Sequence, residues 1–127
     1  MNPSKIKLMK KQSTILLFII LLIGSVSAQA QNRIAKDVPV KEFAKLIQSG
    51  KGVLLDVRTP AEVAKGSIKG SVNMNIFDDD FEARIDKMDK SKPVYVYCAA
   101  GGRSSEAMEM MKKKGFTEIY KIGRAHV

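Results

Sequence analysis

Two short, nearly continuous runs of β-favouring residues constrain this chain more than any other feature: Val53-Leu54-Leu55-Asp56-Val57 and Val94-Tyr95-Val96-Tyr97. Neither shows the regular apolar–polar alternation of a strand with one wet face, so both read as parallel strands covered on two sides. Parallel neighbours cannot be joined by hairpins, so crossover helices must lie between them. The required spacing is there. Val40, Phe43, Ala44 and Ile47 stand at i, i+3, i+4 and i+7, predicting a helix from near Pro39 to Gly50 with Lys41, Glu42, Lys45 and Gln48 on its wet face. Pro60 to Lys65 and Asp79 to Met88 are expected to be helical, and Ser71 to Asn73 a short strand. A helix is predicted over Ser104 to Lys114, with acids Glu106 and Glu109 early, Lys112 to Lys114 late and Gly115 as its stop. Thr117 to Tyr120 reads as a last strand. The expected class is α/β, a central parallel sheet flanked by helices on both sides.

A chain of 127 residues has room for one such domain, and its 22 Lys and Arg against 13 Asp and Glu give a net +9 that would suit a polyanion or a membrane surface. The charge is unevenly placed. Lys5, Lys7, Lys10 and Lys11 precede the apolar run Ile15 to Val26, which is followed by the small residues Ser27, Ala28 and Ala30. That order predicts a secretory signal peptide over residues 1–30, cleaved near Ala28 or Ala30, and a periplasmic or secreted protein. The apolar run is shorter than the roughly 20 residues of a membrane-spanning helix, so membrane contact is expected only during export. Without the leader, 18 cations face 13 acids, a net +5. At the other end, Ile122 to Val127 are what a common short-read sequencing adapter encodes. The domain is therefore expected over residues 31–121, truncated at its carboxyl end and followed by a non-native tail at 122–127. His126, the sole histidine, receives no catalytic role, and loss of Arg124 leaves +4.

Several features have plain structural explanations. Ala107, Met108, Met110 and Met111 are expected to form the inner side of their helix. Asp78-Asp79-Asp80 lacks the spacing and terminal Glu of a calcium loop and reads as a solvated helix start. Lys112 to Lys114 suit a helix C-terminus. No motif points to a metal, a nucleotide cofactor or nucleic acid, so no cofactor and no nucleic-acid partner are expected.

Cys98-Ala99-Ala100-Gly101-Gly102-Arg103-Ser104 carries the chemistry. It follows a buried strand and precedes a helix, at the carboxyl edge where parallel sheets place ligands. Two Ala and two Gly let the backbone wrap tightly, so that successive N–H groups turn inward as an anion nest around the sulfur. The helix N-terminus and Arg103 are expected to add to the same effect, favouring thiolate. With a single Cys there is no internal disulfide and no dithiol pair.

Leu54-Leu55-Asp56-Val57-Arg58-Thr59-Pro60-Ala61-Glu62, then Gly66-Ser67-Ile68-Lys69-Gly70-Ser71-Val72-Asn73, then Tyr95-Val96-Tyr97-Cys98 with Gly101, Arg103 and Ser104 follow one another in an order that resembles the single-domain rhodaneses, a sulfurtransferase family. The likeness runs from about Ile34 to Tyr120, and with the leader it resembles the periplasmic phage shock protein E type. The resemblance implies a rhodanese-like sheet and a two-step transfer. Cys98 takes the sulfane sulfur of thiosulfate or a persulfide, and a thiol, including a protein thiol, or cyanide accepts it from the Cys98 persulfide. Backbone N–H groups from Ala99 to Ser104, through Ala100, Gly101, Gly102 and Arg103, would hold the extra sulfur, while Arg103 orients an anionic donor or braces the loop. Asp56 and Arg58 are implied as scaffold residues near the site. Departures are Ser67, where the family usually has His, and Ala99 and Ala100, where many members carry polar or charged groups; fewer cations at the mouth should weaken thiosulfate binding. Two other readings remain: a non-catalytic binding module on this scaffold, and a phosphatase or arsenate reductase of the Cdc25-like kind. The latter has five residues between Cys and Arg, whereas four intervene here, Ala99 to Gly102.

Overall fold

The computed structural model describes residues 2–7 and 33–122. Residues 3–7 are helical and belong to a unit of their own, while a second unit begins at Arg33. Most of the expected leader, including its apolar run, and everything beyond Ile122 lie outside the described residues.

The second unit contains strands β1 (Ile34–Asp37), β2 (Val53–Asp56), β3 (Val72–Asn73), β4 (Val94–Tyr97) and β5 (Glu118–Ile122). Its helices are α1 (Val40–Gln48), α2 (Pro60–Ala64), α3 (Phe81–Asp86) and α4 (Gly102–Lys113). All strand pairs are parallel, in the order β1-β5-β4-β2-β3. Leu55 lies opposite Val96 and Asp56 opposite Tyr97, so the carboxyl ends of β2 and β4 stop level with one another.

The pleat sorts side chains between two cores. Leu55, Val57, Val94, Val96, Cys98 and Ile119 pack with Phe81 and Ile85 of α3 and Ala107 and Met111 of α4. Leu54, Tyr95, Tyr97, Tyr120 and Ile122 face the other way, onto Phe43, Leu46 and Ile47 of α1. The sheet is thus flanked by helices on both sides. Crossovers leave β2 and β4 in opposite directions, β2 toward the β3 edge and β4 toward β5, so a crevice opens between their carboxyl ends, the usual ligand position in open α/β sheets.

Several predicted details need correction. Val40 is 60% exposed and Ala44 is exposed too; the inward face of α1 is Phe43 with Leu46 and Ile47, rotated by part of a turn because Val38, before the helix, fills the place given to Val40. Helix α4 begins at Gly102 rather than Ser104, and α3 runs only from Phe81 to Asp86. The last strand extends through Ile122, which pairs with Tyr97 and is buried. Strand β1 has no counterpart in the sequence reading: Ile34-Ala35-Lys36-Asp37 is an edge strand, mostly exposed, and shows no buried-strand pattern. Met108 and Met110 only border the core that Ala107 and Met111 enter. Lys114 ties α4 to α3 through Asp86 and Glu82 at 3.0 and 3.3 Å.

Gly52, just before β2, sits where a Cβ would fall 2.8 Å from the Pro93 carbonyl carbon, which is how the β2 and β4 entries approach so closely.

Candidate active site

Strand β4 delivers Cys98 to the crevice, and the turn Ala99–Gly101 folds back over it. Gly101 has φ 99, in the left-handed region that glycine adopts without strain. That conformation aims the Gly101 N–H at Cys98 Sγ, 3.0 Å away, and starts α4 so that the Ser104 N–H also points at the sulfur, at 3.3 Å. Ser104 Oγ lies 3.3 Å from Sγ. Cys98 is buried, and burial pushes its thiol up; hydrogen bonds from the Ser104 hydroxyl and from the Ser104, Gly101 and Ala100 amides outweigh that and bring it below the ordinary 9.0.

The hydroxyl can serve either protonation state. With the thiol protonated, the S–H donates to Ser104 Oγ, whose own proton goes to the Gly101 carbonyl at 3.1 Å. Once the thiolate forms, the hydroxyl turns to the sulfur, and the Gly101 carbonyl keeps the Ser105 hydroxyl at 2.8 Å. Ser104→Ala is therefore expected to move the midpoint of Cys98 alkylation by iodoacetamide to higher pH, toward the free thiol. Wild type should react with a midpoint below 9.0; rates followed by mass against pH check both statements, and coincident profiles would remove the Ser104 hydroxyl from the cradle.

Of the two roles open to Arg103, the geometry shows the brace: its two terminal nitrogens each lie 2.7 Å from a Glu62 oxygen and tie the loop to α2. Glu62 in turn closes a capping box, accepting from the Thr59 N–H at 3.0 Å and Thr59 Oγ1 at 2.9 Å. Arg103 hydrogen bonds, helped by those from Thr59, hold the Glu62 carboxyl far below the usual carboxylate range. Sequence reasoning assigned Glu62 no role, although Thr59-Pro60-Ala61-Glu62 carries the T-x-x-E signature. Ala99 and Ala100 are exposed at the mouth, Gly102 is exposed at the helix start, and among the described residues no hydrogen bond runs from Ala99, Gly102 or Arg103 to the sulfur.

Behind the nucleophile, Asp56 and Arg58 form a buried bidentate pair with contacts of 2.7 to 3.2 Å. Arg58 also donates to the Gly66 carbonyl at 2.8 Å and stacks over Tyr97 at 5.4 Å. Tyr97 Oη accepts the Ile68 N–H at 3.0 Å. The loop around Ser67 is thus held at Gly66 and at Ile68, on both sides of the position where the family usually has a ring, and Ser67 itself is exposed. The acidic run is solvated as expected: Asp78 accepts from Asn75 at 2.9 Å and pairs with Arg84 at 3.6 Å. A separate cleft of about 560 Å³ lies between α3 and α4, lined by Glu82, Glu106, Glu109, Met110, Lys113 and Lys114, with no residue of the Cys98 loop.

The fold and site together define a parallel α/β domain that presents one amide-cradled cysteine at its switch point. The model of the Rhodanese-like domain matches residues 39–122, and the chain belongs to that family. It is similar to the protein YqhL of Bacillus subtilis, at 36% identity over 105 residues, covering 83% of this chain and 79% of that one. It is also similar to a tRNA uridine(34) hydroxylase of Pelagibacter ubique, at 31% identity over 97 residues, covering 76% of this chain but only 32% of the relative. The chain thus spans about a third of that relative's length. Among solved structures, the human single-domain sulfurtransferase TSTD1 superposes with a TM-score of 0.62 at 23% identity, over 73% of this chain and 93% of that one, a likeness of fold.

Proposed function

We propose that this domain is a sulfurtransferase. Cys98 thiolate attacks the sulfane sulfur of thiosulfate or a persulfide, releasing sulfite or a thiol, and the resulting Cys98 persulfide passes its sulfur to a thiol or to cyanide. The observation that carries this reading is the cradle: Gly101 N–H, Ser104 N–H and Ser104 Oγ converge on Sγ within 3.3 Å, favouring the thiolate with no general base. The same donors can follow the charge outward onto a second sulfur, as preorganised donors follow a developing oxyanion. A loop with four residues between Cys98 and Arg103, and with Arg103 spent on Glu62, suits a sulfur atom better than a phosphate.

The leader-like residues 1–30 support an exported enzyme of the phage shock protein E type, with small sulfur donors and low-molecular-weight or protein thiols as partners. Activity on tRNA belongs to the name of a relative of which the match covers only 32%, and nothing in the Cys98 loop calls for it. Incubation with thiosulfate or a low-molecular-weight persulfide, followed by intact mass, should show a gain of one sulfur that dithiothreitol removes. No gain with either donor would sink the reading, and hydrolysis of an aryl phosphate at Cys98 would replace it with the phosphatase.

A further inference from the structure

We propose that the site selects organic persulfides, R–S–SH, over the thiosulfate dianion, with Phe77 receiving the R group and the Arg103–Glu62 pair withholding a cation from the sulfonate end. This rests on the sulfurtransferase reading above. A dianion bound beside Cys98 needs a free positive charge to offset the thiolate it approaches. Neither guanidinium near the loop offers one. The charge of Arg103 is offset by Glu62, 2.7 Å from each of its terminal nitrogens, and Glu62 is itself anchored to Thr59, so it cannot follow a departing guanidinium. Arg58 is committed to Asp56 and to the Gly66 carbonyl. The loop's remaining exposed side chains, Ala99 and Ala100, are uncharged.

The mouth instead offers apolar surface. Phe77 is 66% exposed, the most exposed large apolar residue among those described, and its ring lies 5.9 Å from Arg103 Cζ. It belongs to the loop after β3, at the same carboxyl edge of the sheet as Cys98. That loop is pinned: the Phe77 N–H donates to Asn75 Oδ1 at 3.2 Å, and Asn75 Nδ2 to Asp78 at 2.9 Å. A ring that leaves two-thirds of its surface in water on a braced turn, with the Arg103 guanidinium over it, suits a hydrocarbon body. In the step itself, Cys98 thiolate attacks the outer sulfur, a new S–S bond forms as the donor's S–S bond breaks, and the electron pair leaves on the inner sulfur. That sulfur takes the donor's proton as R–SH, and the anionic Cys98 persulfide stays in the cradle.

The test compares benzyl persulfide with thiosulfate as donors and cyanide as acceptor, reading thiocyanate above the uncatalysed rate. Wild type should favour the persulfide in kcat/KM by at least about tenfold. Phe77→Ala should lower that preference about tenfold through the persulfide KM. Glu62→Gln, which keeps a capping side chain but frees Arg103, should lower it by a similar factor, about tenfold, through the thiosulfate KM. A wild-type ratio at or below one, or a ratio unmoved by either substitution, overturns the proposal. Failure of both donors to add sulfur to Cys98 overturns the sulfurtransferase reading, and this inference falls with it.

Discussion

Replacing Cys98 by serine is expected to lower kcat/KM for sulfur transfer by at least about three orders of magnitude, with little change in the thermal midpoint. The hydroxyl is smaller than the thiol but accepts the same hydrogen bonds from Gly101 and Ser104, so the loop keeps its partners. What is lost is ionisation. The cradle lowers the Cys98 thiol and so favours its thiolate, whereas a serine hydroxyl starts too high for the same neutral donors to ionise it. Thiocyanate formation and a melting curve on the same sample check both halves. Residual turnover above about one per cent of wild type, with an intact melt, would mean that sulfur is not carried on this residue.

The largest stability effect is expected at Asp56. Asp56 is fully buried and answers Arg58 at 2.7 Å, so Asp56→Asn leaves a buried guanidinium without its counter-charge. Breaking a buried pair in this way costs about 3–5 kcal/mol. For a domain of this size that is a fall in Tm of roughly 15 °C or more. The pH dependence has a definite sign. Burial alone would raise the Asp56 carboxyl, but the Arg58 hydrogen bonds overcome it and hold the group below 3.8. Its contribution is therefore complete at neutral pH and is lost as pH falls below 3.8 through the folded value. Urea melts of wild type and Asp56→Asn between pH 7 and pH 3 should converge as the wild-type carboxylate protonates; a constant gap would assign the loss to packing alone. Since Arg58 also holds Gly66, the variant should loosen the loop around Ser67 first.

The central elements were legible because they obey local rules. Strands β2 and β4 are dense in Val, Leu and Tyr, α4 ends on the cations Lys112 and Lys113, and the Cys98 loop has the glycines that a tight turn requires. Strand β1 escaped because an edge strand needs no apolar pattern; its order comes from backbone pairing with β5. The α1 face was misjudged because Val40 and Ala44 fit the helical period as well as Leu46 does, and only the position of Val38 decides between them. The Arg103–Glu62 pair joins residues 41 apart, and no local pattern connects a loop cation to a helix cap that distant. Phe77 reads as one more apolar residue until the fold leaves it outside the core.

The groups that hold the sulfur are mostly main-chain amides, and this determines how such a site varies over time. A donor supplied by a side chain vanishes with one base change, whereas the Gly101 and Ser104 amides persist whatever those residues become, provided the turn keeps its shape. Selection on the cradle therefore falls on conformation, concentrated at Gly101 and its positive φ. The side chains of Ala99 and Ala100, exposed at the mouth, are free to change with the donor at hand, because Ala100 contributes only its amide to the sulfur. Descendants of this domain can exchange their choice of sulfur source without rebuilding the nucleophile.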